Sequence, residues 1–444
     1  MTGYIMKKKI CQFVWNEFTN DARVLRECTA LAESGYDVTL IAIDNPNNDN
    51  IKKYEKKYGF EIFRVKRYPS HYLFSRKVAR KIRRNKLLLV AAMLAYIAIT
   101  MFIPLIGILG ILYAILILNN FSRKMMLKAH VALHMLCRGL RTKADLYHSN
   151  DLNTLPQGYI CSRLKNKPLV YDSHEVQSSR TGYNPKITKF FEGYFVNRVD
   201  KMMMTTDTRA EFTKKLYNIE KPEVIHNYPF FSGNQSIKNK KDIHEICNIN
   251  REEPILLYQG GIQTGRGLEN IVKSIPMIKK GTVVFIGDGR IKPQLKQLVK
   301  EMNLEDRVRF IDKVPVDELK YYTASAYLGF QVLNNVCFNH YSALSNKLFE
   351  YIMSEVPVVA CDFPEIKRVV TESNIGICVD SSDPKSIAEA VNKLVEDTKL
   401  REKLKGNCKE AKLKYNWDNE KDRFVKIYDE IIYKNNEKIY GEVV

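Results

Sequence analysis

From Leu87 to Leu118 the chain runs for 32 residues without one charged side chain, and apart from Tyr96, Thr100, Pro104, Gly107, Gly110 and Tyr113 it consists of Leu, Ile, Val, Ala, Met and Phe. A stretch of this length and composition predicts insertion into a membrane. As one straight helix it would reach about 48 Å against a hydrocarbon core of about 30 Å, so a single span fits poorly. Proline removes an amide donor and glycine lets the chain bend, so Pro104, Gly107 and Gly110 near the middle predict two arms folded as a re-entrant hairpin. The alternative is a buried core helix, but such helices seldom run so far without a polar face.

The surrounding charge points the same way. No Asp or Glu occurs between Ile62 and Ala144, while sixteen cations flank the apolar run, from Arg64 to Lys86 before it and from Arg123 to Lys143 after it. They supply most of the formal net charge of +20. Lysine and arginine resist translocation and are drawn to anionic lipid, which places both flanks on the cytoplasmic face of the cell membrane. Phe74, Val78 and Ile82 recur at helical spacing among these cations, as in a helix lying on headgroups. A nucleic-acid partner is disfavoured, because the charge gathers beside the apolar run and no nucleic-acid motif accompanies it. The nine cysteines are scattered, with no CxxC pair, which argues against a zinc ribbon or a disulfide scaffold and for a reducing setting. At the start of the chain, Lys7 to Lys9 precede only a short apolar run, Ile10 to Trp15, too brief for a signal-peptide core and better read as a strand.

Elsewhere strands and helices alternate. Strands are expected at Lys9 to Trp15, Asp37 to Ile43 and Phe60 to Val65, with a helix over Asp21 to Ser34 whose Val24, Leu25, Leu31 and Ala32 face inward. After the apolar run the pattern resumes at Asp145 to His148, Leu169 to Asp172, Met202 to Thr206 and Val224 to His226. Such alternation predicts a parallel sheet covered by helices. A sheet drawing strands from both sides of the apolar run needs both its ends in one compartment, which again selects the hairpin. A second series begins near Pro254, with strands at Ile255 to Gln259, Thr282 to Ile286, Val308 to Ile311, Tyr327 to Val332, Pro357 to Ala360 and Gly376 to Val379. The expected organisation is therefore α/β, with two doubly wound Rossmann-like domains. Residues 1–86 and 121–228 form the first and 254–418 the second, with the membrane hairpin 87–118 inserted in the first. A polar, unpatterned linker covers 229–253, and a C-terminal helix in 419–444 packs back across the domains.

Doubly wound folds bind ligands at the carboxyl ends of their strands. Tyr258 to Glu269 joins a strand to a helix there: Gly260 and Gly261 permit close backbone approach, and Arg266 sets a cation where amides and the helix dipole favour phosphate. Phe285 to Gly289, with Gly287 at its centre, repeats the device. Either could equally be a tight turn. More telling is Tyr341 to Ala360, where a polar loop meets a helix N-terminus and Lys347 and Glu350 occupy the first turns. A carboxylate there can accept two hydrogen bonds from a ribose, while Ser345, Asn346 and the amides of Lys347 and Leu348 face a diphosphate.

Taken together the chain resembles the family 4 glycosyltransferases, retaining enzymes of the GT-B fold. The resemblance rests on Asn20 to Glu27 with Ser34 to Val38, on Tyr147 to Leu155, on Tyr171-Asp-Ser-His-Glu175, on Gly260 to Gly267, and on Ser345 to Glu350 with Pro357 to Ala360. It implies a nucleoside-diphosphate sugar in the second domain, an acceptor in the first, and transfer between them. By position, Glu350 would hold the ribose and Arg266, with Lys347, would neutralise the leaving diphosphate. The chain departs from the family at three places: Ser342 stands where an acidic residue is expected, Ile262 where an arginine is common, and His148 with Asn150 where relatives carry His-x-His. Asn150, Asp151, His174, Glu175 and Ser342 are the candidate reaction-centre residues. The implied mechanism is retention, with the donor phosphate taking the acceptor proton and cations stabilising the departing diphosphate. No Asp-x-Asp pair sits at the expected loops, so metal independence is expected, with no cofactor beyond the co-substrate. A lipid-linked or glycolipid acceptor, and anionic membrane lipid under the basic flanks, are the further partners. Two other functions compete: a sugar-nucleotide 2-epimerase of similar fold, which would not explain the hairpin, and a catalytically silent membrane-bound scaffold.

Overall fold

A computed structural model describes residues 7–48, 50–180, 182–231, 233 and 239–441. The chain divides into two compact units, one of residues 1–172 with 431–444, the other of 173–430.

In the first unit the elements are β1 (Lys9–Phe13), α1 (Ala22–Glu33), β2 (Asp37–Ile43), β3 (Tyr54–Lys57), β4 (Phe60–Val65), α2 (Ser70–Arg83), α3 (Lys86–Phe102), α4 (Pro104–Leu118), α5 (Asn120–Arg141), β5 (Leu146–Asn150), α6 (Leu155–Lys165) and β6 (Leu169–Ser173). The strand order is β3-β4-β2-β1-β5-β6. Strand β1, which precedes the apolar run, pairs in parallel with both β2 and β5, so Ile10 lies opposite Val38 on one side and Leu146 on the other. One sheet is therefore built from strands on both sides of the insertion. Asp21 caps α1 by accepting from the amide of Val24 at 3.1 Å. The helix buries Val24 and Leu31 as its periodicity predicts, and also Arg23, Arg26 and Glu27, which periodicity does not. Strand β3 was not expected; its antiparallel pairing with β4 adds a polar edge.

The apolar run forms two helices, not one. They break at Ile103, where the proline at the start of α4 cannot continue the α3 hydrogen bonding. The helices fold back on each other. The Tyr96 hydroxyl donates to the Gly107 carbonyl at 2.5 Å, and a Cβ added to Gly107 would lie 2.4 Å from the Thr100 methyl, so glycine sets how closely the arms approach. Most of the large side chains on α3 and α4 face outward. Among the described residues no single helix is long and apolar enough to cross a membrane, while α4 and α5 meet at a 93° bend.

The second unit contains α7 (Pro185–Val196), β7 (Lys201–Met204), α8 (Asp207–Tyr217), β8 (Glu223–Val224) and α9 (Ile243–Cys247). A six-stranded parallel sheet follows, built from β9 (Ile255–Gln259), β10 (Thr282–Ile286), β11 (Val308–Ile311), β12 (Leu328–Gln331), β13 (Val358–Cys361) and β14 (Gly376–Val379). Its order is β11-β10-β9-β12-β13-β14. The helices between are α10 (Leu268–Ser274), α11 (Lys292–Glu301), α12 (Val316–Thr323), α13 (Phe338–Tyr341), α14 (Asn346–Met353), α15 (Pro364–Glu372) and α16 (Pro384–Glu396), and α17 (Thr398–Lys414) and α18 (Trp417–Gly441) close the chain. Two apolar clusters pack the sheet, one around Leu257, Val284 and Tyr351 and one around Leu256, Phe285 and Phe330. Helix α9 interrupts the stretch expected to be an unpatterned linker: Asp242 accepts from the amide of Glu245 at 3.2 Å, and Ile243 is fully buried. Between β9 and β12 the order reverses direction, and such a switch point opens a crevice at the carboxyl ends of the strands.

Candidate functional site

Strand β9 ends in the Gly260-Gly261 turn, within that crevice. The amide of Gly260 donates to the carbonyl of Ile286 at 2.9 Å, which brings the turn after β9 against the turn after β10. Gly287 has φ +145°, and a Cβ there would stand 2.0 Å from the Gly260 carbonyl oxygen. Gly287 is thus a steric requirement of this approach, while at Gly260 glycine is favoured by the backbone, with φ +122°. Beside them opens a cavity of about 300 Å³, mostly apolar, lined by Gly260, Gly261, Gly287, Val314, Val316 and Leu319 among others. Gly267 opens α10 with φ +70° and no side-chain cap, and Arg266 immediately precedes it, half-buried.

Helix α14 supplies the polar groups. Its N-cap, Ser345, makes no side-chain capping bond, so the first amides of the helix stay open. The Leu348 amide is an exception, since it donates to the Ser345 carbonyl at 3.0 Å and is not available to a ligand. The Asn346 side chain accepts from Asn227 at 2.9 Å. Lys347 is buried, its stem 3.6 Å from where a Gly260 Cβ would be, and its ammonium lies 3.9 Å from the centroid of the Tyr258 ring with no hydrogen-bond partner. Burial and the nearby Arg266 charge lower its pKa to about 7 against the opposing pull of Glu350. Burial raises the pKa of Glu350, and a hydrogen bond from Gln259 opposes that rise. That bond, 2.6 Å from Gln259 Nε2 to Glu350 Oε2, engages one carboxylate oxygen. Thr323 Oγ1 lies 2.7 Å from Gln259 Oε1 and 2.9 Å from the Leu319 carbonyl, two acceptors that share its single proton. A buried cation without a hydrogen-bond partner, open helix amides and an oriented carboxylate thus lie together beside an apolar cavity, a combination suited to an anionic ligand.

Gln259 and Thr323 do not stand out in the sequence. Neither type announces a role by itself, although Gln259 at the last position of a buried strand is a polar residue needing a partner.

His174, Glu175 and Ser342 also belong to this unit. Ser342 is fully buried; its hydroxyl donates to the Phe338 carbonyl at 2.7 Å and accepts from Arg209 Nε at 3.2 Å. It is a tie within the protein, with its one proton and one of its two lone pairs engaged. Arg209 also donates to the carbonyls of His174, at 2.6 Å, and Asn339, at 3.0 Å. Asn339 pairs with the backbone of Val176 through both ends of its amide, at 2.8 and 3.0 Å. Arg209 and Asn339 therefore set the path of the His174 to Val176 segment. The Glu175 carboxylate is half-exposed, 3.6 Å from Arg180.

In the first unit, Asn150 ends β5 buried, with its Nδ2 donating to the Phe13 carbonyl at 3.1 Å and its Oδ1 unpaired. Asp151 follows at φ +60°, its amide donating to the Asp172 carbonyl at 2.8 Å. Aspartate is among the residues that tolerate this left-handed conformation. Behind them Glu27, His148 and Asp172 come within 4.8 Å, a grouping able to hold a metal. Arg23 occupies it, at 2.7 and 2.9 Å from the two oxygens of Asp172 and 2.9 Å from Glu27. The guanidinium supplies the charge that would otherwise call for an ion.

Residues 239–411 match the family Glycosyl transferases group 1. The chain is 24% identical to an uncharacterized glycosyltransferase of Methanocaldococcus jannaschii, over 64% of this chain and 75% of that one. It is also 24% identical to the alpha-D-kanosaminyltransferase of Streptomyces kanamyceticus, over 62% and 73%. Among solved structures, the sucrose-phosphate synthase of Thermosynechococcus elongatus superposes with TM-score 0.69 at 15% identity, covering 96% of this chain and 100% of that one. Anabaena HepE in complex with UDP and glucose superposes with TM-score 0.66 at 13% identity, covering 95% and 100%. The fold is thus the two-domain GT-B arrangement, and the comparisons support a glycosyltransferase with a group 1 domain over residues 239–411.

Proposed function

We propose that the chain is a retaining glycosyltransferase of family 4 that moves a sugar from a nucleoside-diphosphate sugar to a lipid-linked saccharide or glycolipid in cell-surface polysaccharide or glycoconjugate synthesis. The observation that carries the donor half is Lys347, buried and without a hydrogen-bond partner at the open N-terminus of α14. An anionic diphosphate would give this cation its partner, Glu350 would take the ribose hydroxyls, and the apolar cavity beside Gly287 would take the base. Arg266 and Lys347 would stabilise the charge on the leaving diphosphate in place of a divalent ion. HepE, of the same fold, is described with UDP-glucose, which supports a sugar nucleotide here.

The acceptor half rests on α3 and α4, whose outward apolar side chains have basic sequence on both flanks. These arms are read as a hairpin entering the cytoplasmic face of the cell membrane without crossing it. Because β1 and β5 pair directly, both ends of the insertion return to one sheet. Single-cysteine labelling at positions 80 and 125 in sealed vesicles tests this; reaction from opposite faces would overturn it. The enzymatic reading is tested by screening sugar nucleotides with membrane lipid extract and following nucleoside diphosphate release. Release dependent on both lipid and Glu350 is expected, and binding of nucleotide without any release would favour the silent scaffold.

A further inference from the structure

Helix α7 buries one face and leaves a row of large apolar side chains in water on the other. Its inward face consists of Thr188, Glu192, Phe195 and Val196, all buried, with Glu192 accepting from the Tyr217 hydroxyl at 2.7 Å. Its outward face holds Ile187, Phe190, Phe191 and Tyr194, exposed by 67%, 83%, 43% and 49%. These four lie at i, i+3, i+4 and i+7, a continuous apolar stripe about 100° wide. A surface helix normally places such a stripe on the core. The helix is well anchored in this orientation: Asn184 caps it, accepting from the amides of Lys186 and Ile187 at 3.1 and 3.2 Å, with Pro185 in its first turn.

The exposed charges of the helix itself are positive. Lys186 and Lys189 are exposed on one flank, Arg198 follows the helix with its guanidinium 4.1 Å from the Tyr194 ring, and the sole acid of the helix is the buried Glu192. Both lysines also line an open cavity of about 460 Å³, together with the polar Ser178 and Ser179 and the ring of Phe338. An apolar stripe with flanking lysines is the feature of a helix lying in a lipid interface, with apolar groups in the acyl boundary and ammonium groups at phosphate depth. A second copy of the chain suits the surface less. Two-fold pairing of the stripes would bring lysine-bearing flanks together with no exposed acid on the helix to offset them.

We propose that α7 is a second membrane contact, with Ile187, Phe190, Phe191 and Tyr194 entering the interface of an anionic bilayer while Lys186 and Lys189 hold headgroup phosphates. It deepens the membrane reading above but rests on none of the hairpin's residues. Because α7 belongs to the same compact unit as Lys347 and Glu350, this contact brings the unit holding the donor site to the lipid in its own right.

The test uses the full chain with Phe190→Trp, compared with the unaltered chain and its two native tryptophans. On vesicles of phosphatidylcholine and phosphatidylglycerol, the added emission should shift to the blue and be quenched by brominated acyl chains. Adding Lys186→Glu and Lys189→Glu should reduce both effects. In parallel, a phospholipid with a photoreactive acyl chain should label residues 182–198 of the unaltered chain, which needs no substitution. Chain that floats with vesicles while Trp at 190 stays in water and 182–198 stays unlabelled overturns the proposal and leaves the hairpin reading standing. Chain that does not float overturns both. A blue shift that appears without lipid and grows with protein concentration would assign the stripe to self-association and also overturn it. Lipid contact at 190 in a chain that releases no nucleoside diphosphate would sink the enzymatic reading alone.

Discussion

Lys347 concentrates the electrostatics of the proposed donor site in one side chain. Burial holds its folded pKa at about 7, below the ordinary lysine value, so between there and the usual lysine range the unfolded chain binds the extra proton. The unliganded protein should therefore gain stability as pH rises through that window, and Lys347→Met should remove the trend and raise the melting temperature at neutral pH. Diphosphate binding should run the other way. Above pH 7 the ammonium must be reprotonated to bind, so affinity should fall by up to about tenfold per pH unit, with proton uptake visible by calorimetry in buffers of different ionisation enthalpy. Flat affinity from pH 7 to 9 would remove Lys347 from the site. Arg266→Ala and Glu350→Ala should each cost about 2 to 4 kcal/mol of transition-state stabilisation in folded protein, measured as kcat/KM. Gln259→Leu should weaken a ribonucleotide more than its 2′,3′-dideoxy counterpart, because it frees the Glu350 carboxylate to turn; equal weakening would reduce Gln259 to a packing role. The lysine and the glutamate were legible beforehand, since their spacing sets both in the first turns of a helix. Gln259 and Thr323 were not, because their role exists only once three separate segments meet.

At the level of elements, alternation of buried strands and amphipathic helices carried the prediction well. Strands β2, β4, β9, β10, β11 and β14 run over the residues expected. What escaped were elements whose stability comes from neighbours: the polar edge strand β3, held by β4, and the five-residue α9, held by its cap and Ile243. Such short pieces cannot sustain themselves by propensity. The glycine turn is a sharper case. Gly287 could have been an ordinary tight turn, and only the 2.0 Å approach of its absent Cβ to the Gly260 carbonyl makes it obligatory. Gly287→Ala should thus destabilise by roughly 1 to 3 kcal/mol and abolish nucleotide binding. An alanine variant that melts and binds like the parent would contradict the close approach.

For the whole molecule the apolar insertion is the part most open to experiment. Replacing Leu87 to Leu118 by a short polar loop should leave nucleotide binding intact but reduce transfer to a lipid-linked acceptor far more than to a soluble analogue. Attachment to a surface raises the effective concentration of a membrane acceptor without any new contact. Equal transfer to both acceptors by a folded deletion variant would remove substrate access as the purpose of the insertion. From sequence alone came the α/β class, the two series of strands, the break at Pro104 and the basic flanks, all of which follow from local periodicity, chain stiffness and charge. The tertiary structure decided what depends on contacts between distant residues. It turned Ser342 inward to tie Arg209, committed the Leu348 amide to its own helix, oriented Glu350 through Gln259, and set α7 with its apolar stripe outward. The physical reason is common to all four: a hydrogen bond or a buried face belongs to a pair of surfaces, and periodicity describes only one of them.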